Sequence, residues 1–317
     1  MVGYRAQEDV HLTGKEHALA GAVSGVVSRV MFQPLDVLKV RFQLQIEPIQ
    51  QQNSSKYWGI YQATRTIIKE EGTRALWKGH VPAQLLSVVY GVGQFVTFEF
   101  LTKLVWKHLP EECSTKYRPL THTVCGSLAA CSATVLAHPA DVLRTRFIAQ
   151  GSIKTYSSLL SGIKKIKQTE GILGFYKGLG PALIQTGFQM GLQFGLYSGL
   201  TSIWQWMEHR PLGGKLGITE SLVCGAGSGI ISKLIAYPLD MTKKRLELQG
   251  VEQIRKEFGA IRVYRGFINC LVCVLREEGV RGMYKGLSPS LIKAGFMSAS
   301  NFFLYDQVCN VLSRRNS

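Results

Sequence analysis

One motif occurs three times at near-equal spacing. Its copies are Pro34-Leu-Asp36-Val-Leu-Lys39-Val-Arg41, Pro139-Ala-Asp141-Val-Leu-Arg144-Thr-Arg146 and Pro238-Leu-Asp240-Met-Thr-Lys243-Lys-Arg245, separated by steps of 105 and 99 residues. A companion follows each copy: Glu71-Gly72 then Trp77-Lys78-Gly79, Glu170-Gly171 then Tyr176-Lys177-Gly178, and Glu278-Gly279 then Tyr284-Lys285-Gly286. Matched register of both motifs makes the chain a threefold tandem repeat, and a repeat of this length constrains the fold more than any local propensity. The expected units are 1–112, 113–213 and 214–317, forming one domain of 317 residues.

Composition alone is less decisive. A hydrophobic content of 46% and a mean hydropathy of +0.07 suit a soluble protein, and no uncharged apolar run of ~18 residues stands out. The repeat gives another explanation. Helices that line a water-filled cavity carry polar residues on one face and tolerate them inside a membrane bundle. The net charge of +16 would fit a nucleic-acid surface, but no nucleic-acid motif is present. Basic residues gather instead in the segments between long helices, at Lys164, Lys165, Lys167, Arg255, Lys256, Arg262, Arg265 and Arg276, as expected for the non-translocated side of a membrane protein facing anionic lipid.

Seven cysteines are scattered along the chain. Cys270 and Cys273 form the one close pair, and without a second pair or a histidine cluster they read as two thiols on one face of an amphipathic helix, not as a zinc site. Met1–Gly14 is polar and mixed in charge, unlike a secretory signal peptide. No Ser/His/Asp set or phosphate-cradling loop appears, so no enzyme and no cofactor are expected.

Each repeat reads as a long helix to its Pro, a kink there, a short helix, and a second long helix. The first long helices are expected over 15–45, 119–148 and 218–248, the short ones over 57–69, 155–168 and 264–276, and the second long ones over 80–107, 179–207 and 287–312. Small-residue pairs precede each Pro by thirteen and nine positions: Gly21/Gly25, Gly126/Ala130 and Gly225/Gly229. Such pairs let helices approach closely in lipid. Two residues after each Pro comes an acid, and three later a base, which shares its helix face. In three symmetric copies these charges meet around an axis, and the expected pairs are Asp36–Arg144, Asp141–Lys243 and Asp240–Lys39.

These paired motifs resemble the signature of the mitochondrial carrier family over essentially the whole chain. The resemblance implies an all-α, multi-pass protein of the mitochondrial inner membrane. It has six transmembrane helices with pseudo-threefold symmetry and three short matrix helices, and works as an alternating-access antiporter and a functional monomer. It implies that the Asp36–Arg144, Asp141–Lys243 and Asp240–Lys39 ring is a matrix gate. Gln43 matches the bracing glutamine, while Ile148 and Glu247 stand at its equivalents, so one brace is expected. It implies a cytosolic gate at Phe98, Glu99, Tyr197, Tyr305 and Asp306, weak here because Thr102, Thr201 and Cys309 replace the usual bases, with Lys103 one position off. It implies cardiolipin binding at Trp77-Lys78-Gly79, Tyr176-Lys177-Gly178 and Tyr284-Lys285-Gly286, where helix starts offer amides. Substrate contact points fall on Leu86, Gln185-Thr186 and Lys293.

Features present three times serve shared machinery; features present once point to the substrate. Five residues before each Pro stand Arg29, Thr134 and Lys233; seven after each motif glycine stand Leu86, Gln185 and Lys293. Three cations thus lie at mid-depth with no repeat-encoded acid partner, and an unpaired charge there is a functional-site hypothesis by default. Together they suit a small phosphorylated anion, a pyrophosphate especially. Gln94, Gln193 and Asn301 form a symmetric amide ring that could line the pathway, and Gln33, His138 and Tyr237, each before a Pro, could face the cavity. The alternatives are a carrier of nucleotides or coenzyme A, or a non-transporting membrane interaction protein.

Overall fold

The structure, a computed structural model, describes residues 13–47, 55–108, 118–151, 155–209, 217–249 and 262–316. Arg255, Lys256, Cys113 and nearly all of Met1–Gly14 lie outside the described residues.

The first repeat contributes α1 (Gly14–Leu44), α2 (Ile60–Glu71), a 3-10 turn (Thr73–Trp77) and α3 (His80–His108). The second contributes α4 (Arg118–Ala149), α5 (Leu159–Glu170), a 3-10 turn (Ile172–Tyr176) and α6 (Leu179–Met207). The third contributes α7 (Ile218–Glu247), α8 (Phe267–Glu277), α9 (Gly279–Met283) and α10 (Leu287–Asn316). The long helices fall within a few residues of their expected ranges. The short ones start about three residues late, because Tyr57 is taken up beforehand: its N–H donates to Gln45 Oε1 at 2.9 Å and its hydroxyl accepts from Arg41.

Each long helix runs 29 to 32 residues, or about 45 Å at 1.5 Å per residue, enough to cross a ~30 Å hydrocarbon core. Helices α1, α3, α4 and α7 are long and apolar enough to cross a membrane; α6 and α10 match them in length. Among the described residues, apolar side chains are exposed along the long helices, as at Val88, Phe95, Phe100, Phe188 and Phe296. That outer face suits lipid. Pro34, Pro139 and Pro238 sit inside unbroken helices.

Neighbouring repeats meet in cyclic order: α3 packs along α4, α6 along α7, and α10 along α1. The three Pro-bearing helices touch one another at the end that carries the short helices. Core clusters lie under the short helices of that end, one of them built from Leu38, Phe42, Tyr57, Ala63 and Ile67. The short helices are strongly one-sided: Ala63 and Ile67 are buried while Tyr61 is 81% exposed. Lys164, Lys165, Lys167, Arg262, Arg265 and Arg276 are all exposed there.

The expected close packing at the small-residue pairs is found in the second repeat, where Ala130 is fully buried, and not in the first and third. No heavy atom beyond the local helix lies within 4 Å of where a Cβ would sit on Gly21, Gly25, Gly225 or Gly229. A Cβ on Gly126 would lie 4.0 Å from the Phe98 and Phe194 rings. The helices splay at this end, so the small faces of the first and third repeats have no partner in this conformation.

Candidate functional site

The Asp two residues beyond each Pro faces the bundle axis, and there the chain places three ion pairs between repeats. Arg144 Nη2 lies 2.7 Å from Asp36, Lys243 Nζ 2.8 Å from Asp141, and Lys39 Nζ 2.6 Å from Asp240. These are the three cross-repeat pairs that spacing predicts. Gln43 Nε2 donates to Asp240 Oδ2 at 3.1 Å and to the Tyr237 hydroxyl at 3.2 Å.

The expectation of a single brace needs correction. Glu247, at the brace position of the third repeat, is fully buried and accepts from Lys244 Nζ at 2.9 Å and from Thr145 Oγ1 at 2.6 Å. Lys244 also lies 2.8 Å from Asp141. The other repeats have Val40 and Thr145 in place of Lys244. The third repeat therefore adds a cation and an anion together, joined to the second repeat.

A cavity of about 400 Å³ rises from this charged floor, with Arg29, Leu86, Tyr90, Thr134, Gln185, Thr186 and Lys293 in its wall. A side chamber of about 320 Å³ holds Lys233, Lys293, Asp36 and Met297, and one of about 150 Å³ holds Lys233, Gln185 and Gln189. The three cations do converge, but they are not partnerless. Lys293 Nζ is 2.7 Å from both oxygens of Asp36. Arg29 Nη1 donates to the Ala83 carbonyl at 3.0 Å, and Lys233 Nζ to the Ser290 carbonyl at 2.9 Å. Lys293 escapes isolation because α10 packs along α1, so it borrows an acid already used by the repeat motif. Thr134, the neutral counterpart of Arg29 and Lys233, lies 3.3 Å from Thr186 Oγ1. Gln94 is half-buried on α3 and does not border the main cavity, nor do Gln193 and Asn301.

The residues before each Pro are buried; His138 borders the main cavity and Tyr237 the smaller side chamber, as expected, while Gln33 borders neither. Gln33 and His138 approach the carbonyls of Lys78 and Lys177 at 2.9 Å, and the Tyr237 hydroxyl donates to that of Lys285 at 2.9 Å. Three different side chains thus tie each Pro-bearing helix to the start of the following long helix.

The motif lysines also depart from expectation. Lys78 pairs with Glu71 at 2.5 Å and donates to the Gln150 and Gly151 carbonyls. Lys177 pairs with Glu170 at 2.6 Å and donates to the Gln249 carbonyl. Lys285 pairs with Glu278 and donates to the carbonyls of Gln45, Ile46 and Glu47. These lysines clasp the end of the next repeat's Pro-bearing helix, Lys78 and Lys285 with side chains largely enclosed and Lys177 with its side chain 35% exposed. The same glutamates grip the motif arginines: Arg41–Glu71 and Arg146–Glu170 at 2.5 Å, and Arg245–Glu278. Burial acts to raise the Glu71 carboxyl, but hydrogen bonds and charge from Arg41 and Lys78 outweigh it and hold it below the usual carboxylate range. Glu170 behaves alike between Arg146 and Lys177. These arginine–glutamate links were not anticipated, although three copies each of the Arg and the Glu were visible in the motifs.

At the splayed end, Glu99 pairs with Lys103 on its own helix at 2.7 Å, both exposed. Tyr305 joins His17 Nδ1 of α1 at 2.8 Å. Asp306 is exposed and Tyr197 half-buried. Cys125, Cys131, Cys224, Cys273 and Cys309 carry free thiols, and no three His, Cys, Asp or Glu side chains among the described residues are grouped to hold a metal.

A sequence model described as mitochondrial carrier protein matches residues 11–109, 115–208 and 214–316. The chain belongs to the mitochondrial carrier family. Among its relatives, the mitochondrial thiamine pyrophosphate carrier of Bos taurus is 48% identical over 312 residues, covering 98% of this chain and 97% of the relative. That of Homo sapiens is 47% identical over 322 residues, covering 100% and 98%. The mitochondrial thiamine diphosphate carrier 1 of Arabidopsis thaliana is 36% identical over 308 residues, covering 91% of each.

Proposed function

We propose that this mitochondrial carrier family member spans the mitochondrial inner membrane and imports thiamine pyrophosphate in exchange for nucleotides or other phosphorylated anions. The observation that carries the reading is that Lys293 borders both the main cavity, with Arg29, and a side chamber, with Lys233, above a ring of ion pairs. The names of the full-length relatives supply the substrate.

In this reading the short-helix end faces the matrix, where the ring is the closed gate, and the splayed end faces the cytosol. The cavity floor is built from charges that a phosphate can engage: Lys39, Arg144 and Lys243 border the same cavity as Lys293. An entering pyrophosphate competes with Asp36 for Lys293 and with the other aspartates for their cations. Binding energy then offsets the ion pairs broken on opening, which is how a ligand shifts an equilibrium between two states. Closing the cytosolic end brings the unpartnered faces at Gly21, Gly25, Gly225 and Gly229 against neighbouring helices. Glu99, Phe98, Tyr197, Tyr305 and Asp306 form that second gate.

Cardiolipin is held, in this reading, by backbone amides at the starts of α3, α6 and α10 beside Trp77 and Tyr176, since the motif lysines are internally engaged. The protein acts as a monomer.

The test is uptake of labelled thiamine pyrophosphate into liposomes loaded with the same compound, beside nucleotides and coenzyme A. Wild type is expected to exchange thiamine pyrophosphate, and Lys293→Ala to lower exchange by about 10–100-fold, the worth of a charge-assisted hydrogen bond. Exchange of nucleotides or coenzyme A alone would overturn the substrate and keep the carrier. No exchange by folded protein would overturn transport.

A further inference from the structure

Seven and eleven residues after each motif glycine, the repeats present two rings one helical turn apart. The first ring is Leu86, Gln185 and Lys293; the second is Tyr90, Gln189 and Met297. Read helix by helix, α3 offers an apolar and an aromatic side chain, α6 two amides, and α10 a cation beside a thioether. Leu86, Tyr90, Gln185 and Lys293 border the main cavity, Gln189 the side chamber that Gln185 shares with Lys233, and Met297 the chamber shared with Lys293.

The two amides are bonded to each other: Gln185 Nε2 donates to Gln189 Oε1 at 2.8 Å. A primary amide has one carbonyl and one NH2 group. With one carbonyl spent inside the pair, the pair still offers a carbonyl on one residue and an amino group on the other. Interchanging oxygen and nitrogen in both residues swaps which supplies which, but the pair retains one donor and one acceptor side by side. This is the complement of a flat heteroaromatic ring with an amino group next to a ring nitrogen.

Resting on the proposed transport of thiamine pyrophosphate, we propose that Gln185 and Gln189 together read the aminopyrimidine edge of the substrate. Tyr90 and Leu86 supply the flat wall for the ring, and Lys293 and Lys233 hold the pyrophosphate. The amide pair selects amino over oxo heterocycles, because an oxo group with a protonated ring nitrogen reverses both hydrogen bonds. The same rule extends to the exchanged nucleotides: adenine and cytosine present the accepted edge, and hypoxanthine and uracil the rejected one. Two buried polar groups left facing like groups carry a desolvation cost, which is why a hydrogen-bonding site rejects such analogues.

The experiment measures exchange in liposomes with two matched substrate pairs. One pair is thiamine pyrophosphate and oxythiamine pyrophosphate, which has oxo in place of the 4-amino group. The other is adenosine diphosphate and inosine diphosphate. Wild type is expected to prefer the amino member by about tenfold in apparent affinity. Gln189→Leu and Gln189→Met are expected to bring the ratio close to one while inhibition by inorganic pyrophosphate stays unchanged. Thermal shift by pyrophosphate in detergent reports that each variant is folded, and two variants guard against misfolding of either. An amino-to-oxo ratio that both variants leave intact, in either pair, overturns the inference. Failure of the transport reading is separate: thiamine pyrophosphate is then not exchanged, while the nucleotide pair still tests the amides. Exchange of no member of either pair overturns both.

Discussion

Lys293 holds Asp36 with both carboxylate oxygens at 2.7 Å, across 257 residues of sequence. Arg144 approaches the same carboxylate at 2.7 Å. One acid thus serves two cations, one belonging to the inter-repeat ring and one to the cavity wall. The Asp36→Asn variant removes both roles at once, and two readouts tell them apart. It leaves Lys293 and Arg144 without their shared anion, and loss of one member of a buried ion pair costs about 3–5 kcal/mol. Thermal unfolding in detergent is expected to fall accordingly. In liposomes, the freed Lys293 is expected to lower the half-saturation constant for thiamine pyrophosphate while maximal exchange drops. A raised half-saturation constant would show that Asp36 does not compete with substrate.

Lys244 and Glu247 invite a double-mutant cycle, because the other repeats already show what replaces them. Glu247→Ile alone leaves Lys244 buried with Asp141 as its remaining acid, at an expected cost of about 3 kcal/mol. Lys244→Val alone leaves Glu247 buried beside Lys243, 3.8 Å away. The double variant Lys244→Val/Glu247→Ile reproduces Val40 and Ile148 and is expected to recover most of the loss, since apolar replacement of a buried pair is often neutral. Unfolding midpoints of the four proteins check this. Additive losses would mean the pair is not a unit.

The three motif glycines differ in how tightly they are enclosed. Each has positive φ, between 73° and 80°. A Cβ on Gly286 would lie 2.6 Å from the Lys39 carbonyl oxygen, and on Gly79 2.9 Å from that of Arg144; on Gly178 the nearest atom is Glu247 Cγ at 3.1 Å, with no backbone atom closer than 3.4 Å. Gly286→Ala is expected to destabilise most and Gly178→Ala least, with backbone strain alone contributing about 1–3 kcal/mol in each. Equal losses across the three would leave only the φ penalty.

The fold was legible because the repeat aligned the chain to itself. Asp36, Asp141 and Asp240 could be paired with bases of other repeats from spacing and symmetry alone. The Lys293–Asp36 contact was not legible in the same way. It joins a residue that breaks the symmetry to one that obeys it, and depends on how α10 packs along α1. Glu247 hides its role for a related reason: against Gln43 it resembles a missing brace, and its partner Lys244, one turn earlier, has no counterpart in the other repeats. Lys78, Lys177 and Lys285 flank helix starts, which makes them resemble lipid ligands in sequence; each instead reaches Glu71, Glu170 or Glu278, half-buried acids that need cations.

The lysine clasps run in one sense around the molecule. Lys78 of the first repeat holds the end of α4 in the second, Lys177 holds α7 in the third, and Lys285 returns to residues 45–47 of the first. A solenoid ends in two exposed faces and must cap them. Here the last unit meets the first, so the chain has termini while the assembly has none. Peptide linkage and side-chain clasp become alternative ways of joining neighbours, and the seam between the third and first repeats carries the same lysine clasp as the two that the backbone crosses.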